Sequence, residues 1–499
     1  MGIAMSTIHP AFRVGVVDRR LFGSFVEQMG RCVYTGIYEP GHPSATPEGF
    51  RGDVLELVRE LGVTMVRYPG GNFVSDYRWE DGVGPRDQRP VRLSRAWHSI
   101  ETNQFGTDDF MTWCAAAGVD PMMAVNIGTR ATQAASDLLE YCNHPGGTEL
   151  SDRRRANGAE EPYNIRMWCL GNEMDGPWQI GQMTPDQYGR AALDMARTMR
   201  MFDKNLELVA CGSSGTSLPT FGYWEQTVLN HTYEEVDFIS AHAYYENPDD
   251  DLASFLASAT NMDSFICAVV ATADAIGAAK HSTKRINISF DEWNVWYLTK
   301  PWTQGDEWAE APRLLEDVYN LSDAVVVGDL MITLLRHADR VKSASLAQLV
   351  NVIGPIMTEP GGRAWRQATF HPFALTARHA QPIVLDTRIE SPRHETARYG
   401  EVDAISAVTT WDGAREVTIF AVNRDSTAPH ELRVDLAALG TVASLEVTVL
   451  TGDDPLATNT ADDPDRVTTA SGHGTTNGGV VSATLPPMSW NMVRVTLAA

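Results

Sequence analysis

The chain has 499 residues, an ordinary apolar fraction of 43% and a formal net charge of −24. That length and composition permit large cores and exclude wholesale disorder. The acidic balance argues against nucleic acid and anionic membrane surfaces as partners, since both need basic patches. Six scattered cysteines (Cys32, Cys114, Cys142, Cys169, Cys211, Cys267) lack the short spacings of zinc or redox motifs, so reduced thiols in a cytoplasmic protein are expected. The N-terminus carries no basic and apolar leader pattern, and no apolar run of transmembrane length is expected.

In chain order, a short alternating run before about residue 15 is followed by Leu21–Glu27, an apolar run ending in a carboxylate. Asp53 to Leu61 has helical spacing (Val54, Leu57, Val58, Leu61), with Asp53 as a cap and Gly62 as a left-handed terminator. Val63–Arg67 reads as a second strand, closed by Pro69-Gly-Gly-Asn72. After the helix-like Thr107–Ala117, Pro121–Asn126 is a third and Ile165–Glu173 a fourth. Thr184-Pro-Asp-Gln187 reads as a capping box with proline at the first helical position. Leu206–Gly212 and Val236–Ala243 follow as strands five and six. An Ala-rich helix near 264–280 leads to Ile286–Glu292 as strand seven. Leu315–Arg336, read as a long amphipathic helix, leads to Leu346–Ile353 as strand eight.

Eight such runs separated by helices predict a (β/α)8 barrel over about residues 16–378. The rival, a doubly wound open sheet, lacks its glycine-rich phosphate loop. After about Arg378 the period changes to two in Glu416–Val422, Glu431–Asp435, Ser444–Val449 and Trp490–Thr496. That predicts an antiparallel β-sandwich over 379–499, which residues 1–15 join as an added strand. Asp453–Asn477 reads as a polar loop.

The C-terminal ends of barrel strands build active sites. Those ends carry Glu27, Arg67, Asn72, Asn172, Glu173, His242, Tyr244, Asp291, Glu292 and Gln348. Glycosidic cleavage needs two facing carboxyl groups, one to protonate the leaving oxygen and one to attack or stabilise the anomeric carbon. Glu173 is the first candidate. Glu292 is its expected partner, with Asp291 competing, because strand neighbours point to opposite faces and only one can face the barrel mouth. Arg67 and Tyr244 are candidate donors to the nucleophile, and Asn172 to a sugar hydroxyl. A metal site from His231, Glu234, Glu235 and His242 is disfavoured, because roughly seven residues of strand at about 3.3 Å each separate them. His242 is expected to hydrogen-bond in the pocket instead.

Leu21-Phe-Gly-Ser-Phe-Val-Glu27, Arg67-Tyr-Pro-Gly-Gly-Asn72, Gly171-Asn-Glu-Met-Asp-Gly-Pro-Trp-Gln-Ile-Gly181, Asp291-Glu-Trp-Asn-Val-Trp-Tyr297 and Ala347-Gln-Leu-Val-Asn-Val-Ile353 together resemble glycoside hydrolase family 51, the α-L-arabinofuranosidases. The resemblance runs over essentially the whole chain. It implies an exo-acting, retaining enzyme that removes terminal arabinofuranosyl units from arabino-oligosaccharides and needs no cofactor or metal. By position Glu173 would be the acid/base and Glu292 the nucleophile. Glu27, Asn72, Asn172 and Gln348 would hold the sugar hydroxyls, while Arg67 and Tyr244 support Glu292. Trp97 and Trp178 would form the apolar wall; taken one by one, tryptophans such as Trp296 and Trp302 read as packing residues. The resemblance also implies a homo-hexamer. Gln28 departs from the family pattern, standing where many relatives have His. Rival readings are an endo-acting barrel glycanase with the same Glu pair and a sugar-binding barrel without catalysis.

Overall fold

In a computed structural model, residues 2–300 and 307–498 are described. Trp302 lies outside them. Eight parallel strands close a barrel: β1 (Gly23–Phe25), β2 (Met65–Tyr68), β3 (Asp120–Ala124), β4 (Met167–Leu170), β5 (Glu207–Ala210), β6 (Phe238–Tyr245), β7 (Asn287–Val295) and β8 (Val341–Leu346). The apolar runs of the sequence arise because both faces of each strand are covered, one by the barrel interior and one by helices. Pairing is continuous around the ring, from β1 beside β2 to β8 beside β1.

The eighth strand is a correction. It spans Val341–Leu346, and the apolar run to Ile353 is a buried loop in which Asn351 and Ile353 have positive φ (60° and 40°). Ser343 and Ser345 are buried within the strand itself, and they hid it from a hydrophobic reading. An apolar run reports burial, and here the burial belongs to irregular backbone.

Two helices also differ from expectation. α9 (Leu321–Arg336) begins six residues late, at the Asn320 cap whose side chain accepts from the Asp323 amide. It is not amphipathic: every residue from Leu321 to Leu335 is buried, because one side meets the barrel and the other the C-terminal sheets. Its Asp329 is paired with Arg424 at 2.8 Å. α8 (Ala259–Ala279) is, by length and composition, long and apolar enough to cross a membrane, contrary to the expectation from the sequence. Here its Met262, Phe265, Ile266 and Val269 are buried, and Phe265 lies edge-on to Phe290 of β7 at 5.8 Å between ring centroids.

The C-terminal part forms a five-stranded and a seven-stranded sheet sharing one core, with Leu432, Val434 and Val481 from the first against Ile405, Ile419 and Val493 from the second. Each sheet takes in an N-terminal strand. Ile3–Thr7 runs parallel to His430–Asp435, and Arg13–Val16 pairs antiparallel with Ile383–Leu385. The region read as a polar loop contains two short strands, Ala470–Ser471 and Gly474–Asn477.

Gly328 marks how closely α9 approaches the sandwich. A Cβ there would lie 2.2 Å from Trp490 Cδ1, and Trp490 is fully buried and stacked on Phe420. Helix propensity alone favours Gly328→Ala by about 1 kcal/mol, whereas overpacking costs typically about 1–3 kcal/mol. Thermal denaturation should therefore show a lower midpoint for Gly328→Ala; an increase would mean that this contact is loose.

Candidate active site

The barrel brings the strand-end side chains into one cavity of about 420 Å3, lined by Glu27, Asn72, Trp97, Glu173, Glu292 and Gln348 among others. β4 ends at Leu170, and Gly171 then adopts φ 98° and Glu173 φ 45°. A positive φ is uncommon away from glycine and is tolerated where surrounding contacts fix the residue. Here the contacts are to the carboxylate: Trp178 Nε1 donates to Oε2 at 2.7 Å, and His242 Nδ1 lies 2.8 Å from Oε1.

Glu292 sits on β7 with each oxygen held. Arg67 Nη1 donates to Oε1 at 2.8 Å and the Tyr244 hydroxyl to Oε2 at 2.8 Å. The second arm of Arg67 donates to Asn172 Oδ1 at 2.7 Å. One oxygen of Glu173, one nitrogen of His242 and one oxygen of Glu292 all lie within 4.8 Å of one another. These residues, 119 positions apart at their extremes (292 − 173), are neighbours only through the barrel.

Of the two neighbouring acids Glu292 lines the cavity and Asp291 does not, yet Asp291 still reaches the histidine that Glu292 approaches. Its Oδ1 lies 2.9 Å from His242 Nε2, and Oδ2 is 3.8 Å from Arg67 Nε and accepts from the Cys169 thiol at 3.8 Å. The cause is a register shift. Ser240 of β6 pairs with Ser289, but His242 pairs with Glu292, so β7 holds one extra residue in that interval. Such a bulge suspends strict alternation and lets both acids reach the His242 ring.

The electrostatics follow from burial. Desolvation opposes the charge on Asp291, but Arg67 and His242 outweigh it and hold the carboxyl below its usual range. Burial would also lower His242, yet the charge of Glu292 and the hydrogen bonds to Asp291 and Glu173 push it well above its ordinary 6.5. Tyr244 is pushed up by burial and then by Glu292 and Glu173, so its hydroxyl keeps its proton.

On the opposite wall Glu27 accepts from the Phe73 amide (2.8 Å), Trp97 Nε1 (2.6 Å) and Gln348 Nε2 (3.0 Å). Burial still raises it to about 8, against the pull of the Phe73 amide and the Trp97 ring N–H. The loop after β2 comes this close because Gly71 has no side chain; a Cβ there would lie 2.5 Å from Glu27 Oε2. Asn172 Nδ2 reaches Asn72 Oδ1 at 3.4 Å. Trp97 is buried and Trp178 is 50% exposed at the rim. Gln28 stands behind this wall, donating to the Tyr68 hydroxyl at 2.7 Å.

Sequence reading missed part of the wall. Trp296, taken as packing, also lines the cavity and stands edge-on to Tyr244 at 4.9 Å. Ser214, Thr216 and Ser217 follow β5, and Asn261 lies on α8. The polar run after the fifth strand was visible, and the barrel rule would have pointed to it.

A cation among Glu173, His242 and Glu292 is disfavoured by the residues present. Both His242 nitrogens already face carboxylates, and the Glu292 oxygen nearest the ring, 3.6 Å from Nδ1, already accepts from the Tyr244 hydroxyl. His231 is elsewhere, 2.9 Å from Asp186.

Comparison with known proteins agrees with this geometry. The α-L-arabinofuranosidase 1 domain matches residues 57–254, and the α-L-arabinofuranosidase C-terminal domain matches residues 291–489. The chain is 57% identical over 501 residues to an intracellular exo-α-(1→5)-L-arabinofuranosidase of Streptomyces lividans, covering 99% of this chain and 75% of that one. It is 55% identical over 500 residues to an exo-α-(1→6)-L-arabinofuranosidase of Bifidobacterium longum, with 97% and 95% covered. Among solved structures, the family 51 α-L-arabinofuranosidase AbfB of Bifidobacterium longum matches with a TM-score of 0.95 at 52% identity, covering 99% of both chains. An α-L-arabinofuranosidase of Thermotoga maritima, solved as an arabinose complex, matches with a TM-score of 0.88 at 34% identity, covering 99% of this chain and 100% of that one. With this identity over nearly its whole length, the chain belongs to the family 51 α-L-arabinofuranosidases.

Proposed function

We propose that this enzyme removes terminal, non-reducing α-L-arabinofuranosyl units from arabino-oligosaccharides by double displacement with retention. The observation that carries the reading is the approach of Glu173 and Glu292, oxygen to oxygen within 4.8 Å. Retaining enzymes place the two carboxyl groups about 5–5.5 Å apart, and inverting ones about 6.5–9.5 Å apart to admit a water. The names of the Streptomyces and Bifidobacterium relatives support exo action.

In the first step Glu292 attacks the anomeric carbon while Glu173 gives its proton to the leaving oxygen. The glycosidic C–O bond breaks and an ester to Glu292 forms. In the second step Glu173 takes a proton from water, the resulting hydroxide attacks the same carbon, and Glu292 leaves as carboxylate. Arg67 and Tyr244 hold one Glu292 oxygen each, which orients the nucleophile and stabilises it again on departure. Both Glu173 oxygens face ring nitrogens, Trp178 Nε1 and His242 Nδ1, an arrangement suited to the base of the second step. Glu27, Asn72, Asn172 and Gln348 hold the sugar hydroxyls against the Trp97 and Trp178 wall.

The same reading divides the chain into a barrel over 16–378 and a sandwich over 379–499 joined by residues 1–15. It also places the enzyme inside the cell, supported by relatives named intracellular and by five buried free cysteines. Assembly into a hexamer is carried by the family resemblance.

Glu292→Ala should lose turnover on every arabinofuranoside. Glu173→Ala should lose about 10²–10⁴-fold with poor leaving groups and far less with activated aryl ones. Equal losses across leaving groups in Glu173→Ala, read from steady-state kinetics, would reject its role as acid.

His242 supplies a stability test. Its native value lies above the unfolded 6.5, so above about pH 6.5 the native chain holds a proton that the unfolded chain releases. Its contribution is therefore complete below that pH and is lost as pH rises through the native value. Urea denaturation at stepped pH should show His242→Asn removing up to about 1.4 kcal/mol per pH unit from the alkaline fall in stability. An unchanged slope would mean that the native ring is neutral.

A further inference from the structure

Away from the cavity, one cluster of side chains has the composition of a metal centre. α8 carries Asp263 and Cys267 four residues apart, so both project from one helix face. His337, the residue that ends α9, completes the group. Its Nε2 lies 2.9 Å from Asp263 Oδ1, and one donor atom from each of the three residues falls within 4.8 Å of the other two. At bond lengths of about 2.0–2.3 Å, donors around one tetrahedral zinc are roughly 3.3–3.8 Å apart, so small side-chain rotations bring all three into range.

Cys267 is the exposed cysteine; the other five are buried. The side chains of Asp263 and His337 are 37% and 19% exposed, which leaves a solvent side for a fourth ligand. The hydrogen bond from His337 holds the Asp263 carboxyl below its usual range, against the opposing effect of burial, so an anionic oxygen is ready. Arg336 approaches the same oxygen at 4.0 Å, but it is 45% exposed and free to swing outward. A thiol, an imidazole and a carboxylate suit zinc and its borderline-soft neighbours; calcium and magnesium prefer oxygen-only sets.

We propose that Asp263, Cys267 and His337 form a surface site for zinc or a similar divalent ion, distinct from the hydrolytic pocket. α8 leads into β7, which carries Glu292, and His337 leads into β8. An ion held there crosslinks the two connections and stabilises the fold by mass action. The Cys267 thiol must lose its proton to bind the ion, so binding tightens as pH rises.

The test uses the full-length enzyme freed of metal and titrated with Co2+. One equivalent per chain should produce a thiolate-to-cobalt charge-transfer absorption, bleached by Zn2+, and Zn2+ should raise the thermal midpoint. Cys267→Ser should abolish the band, and His337→Ala should weaken Co2+ binding at least about 10-fold. Both variants should keep full hydrolysis of an aryl arabinofuranoside, which separates loss of the site from loss of the fold. No charge-transfer band at saturating Co2+, or a band that survives Cys267→Ser, would overturn the proposal.

Discussion

The centre of this protein is a buried cluster of five charged groups: Arg67 and His242 set among Asp291, Glu292 and Glu173, none more than 8% exposed. Isolated charges cannot be held in such a place, and a buried ion pair survives only when its remaining hydrogen-bonding capacity is met. Here Arg67 bridges β2 to β7 and the loop after β4, while His242 links β6 to β7 and that same loop. With every group ionised the cluster carries two positive and three negative charges. The same interactions that make the barrel mouth tolerable to bury thus prepare it for chemistry.

The bulge in β7 is what makes this arrangement possible. In a regular strand Asp291 and Glu292 would face opposite sides, and His242 would meet one of them. The extra residue opposite the Ser240–His242 interval places Asp291 at one ring nitrogen and Glu292 near the other. Asp291 then holds the ring and pairs with Arg67, and Glu292 is left to face the cavity. A positive φ at Glu173 does corresponding work at the end of β4, turning its side chain toward Trp178 and His242.

Much of this was legible in the residues. Parallel barrel strands are covered on both faces, so they appear as short apolar runs, and their C-terminal polar residues point to the mouth. Glu27, Arg67, Glu173, His242 and Glu292 were all reachable that way. β8 was displaced because Ser343 and Ser345 interrupt its apolar character while the buried loop to Ile353 imitates a strand. The bulge was invisible, since alternation in sequence carries no register. The burial of α9 on all sides depends on the sandwich folding against it, and Gly328 hints at that contact only once Trp490 is known to be its neighbour. The Ser214–Ser217 wall lies on a loop, where no periodicity marks it.

The most direct measurement of the central claim is proton NMR of the sugar first formed during hydrolysis of an aryl α-L-arabinofuranoside. With Glu292 as nucleophile and Glu173 as acid/base at this separation, the α anomer of arabinose should appear first and the β anomer only later by mutarotation. First appearance of the β anomer would establish a single displacement and contradict the assignment of Glu292.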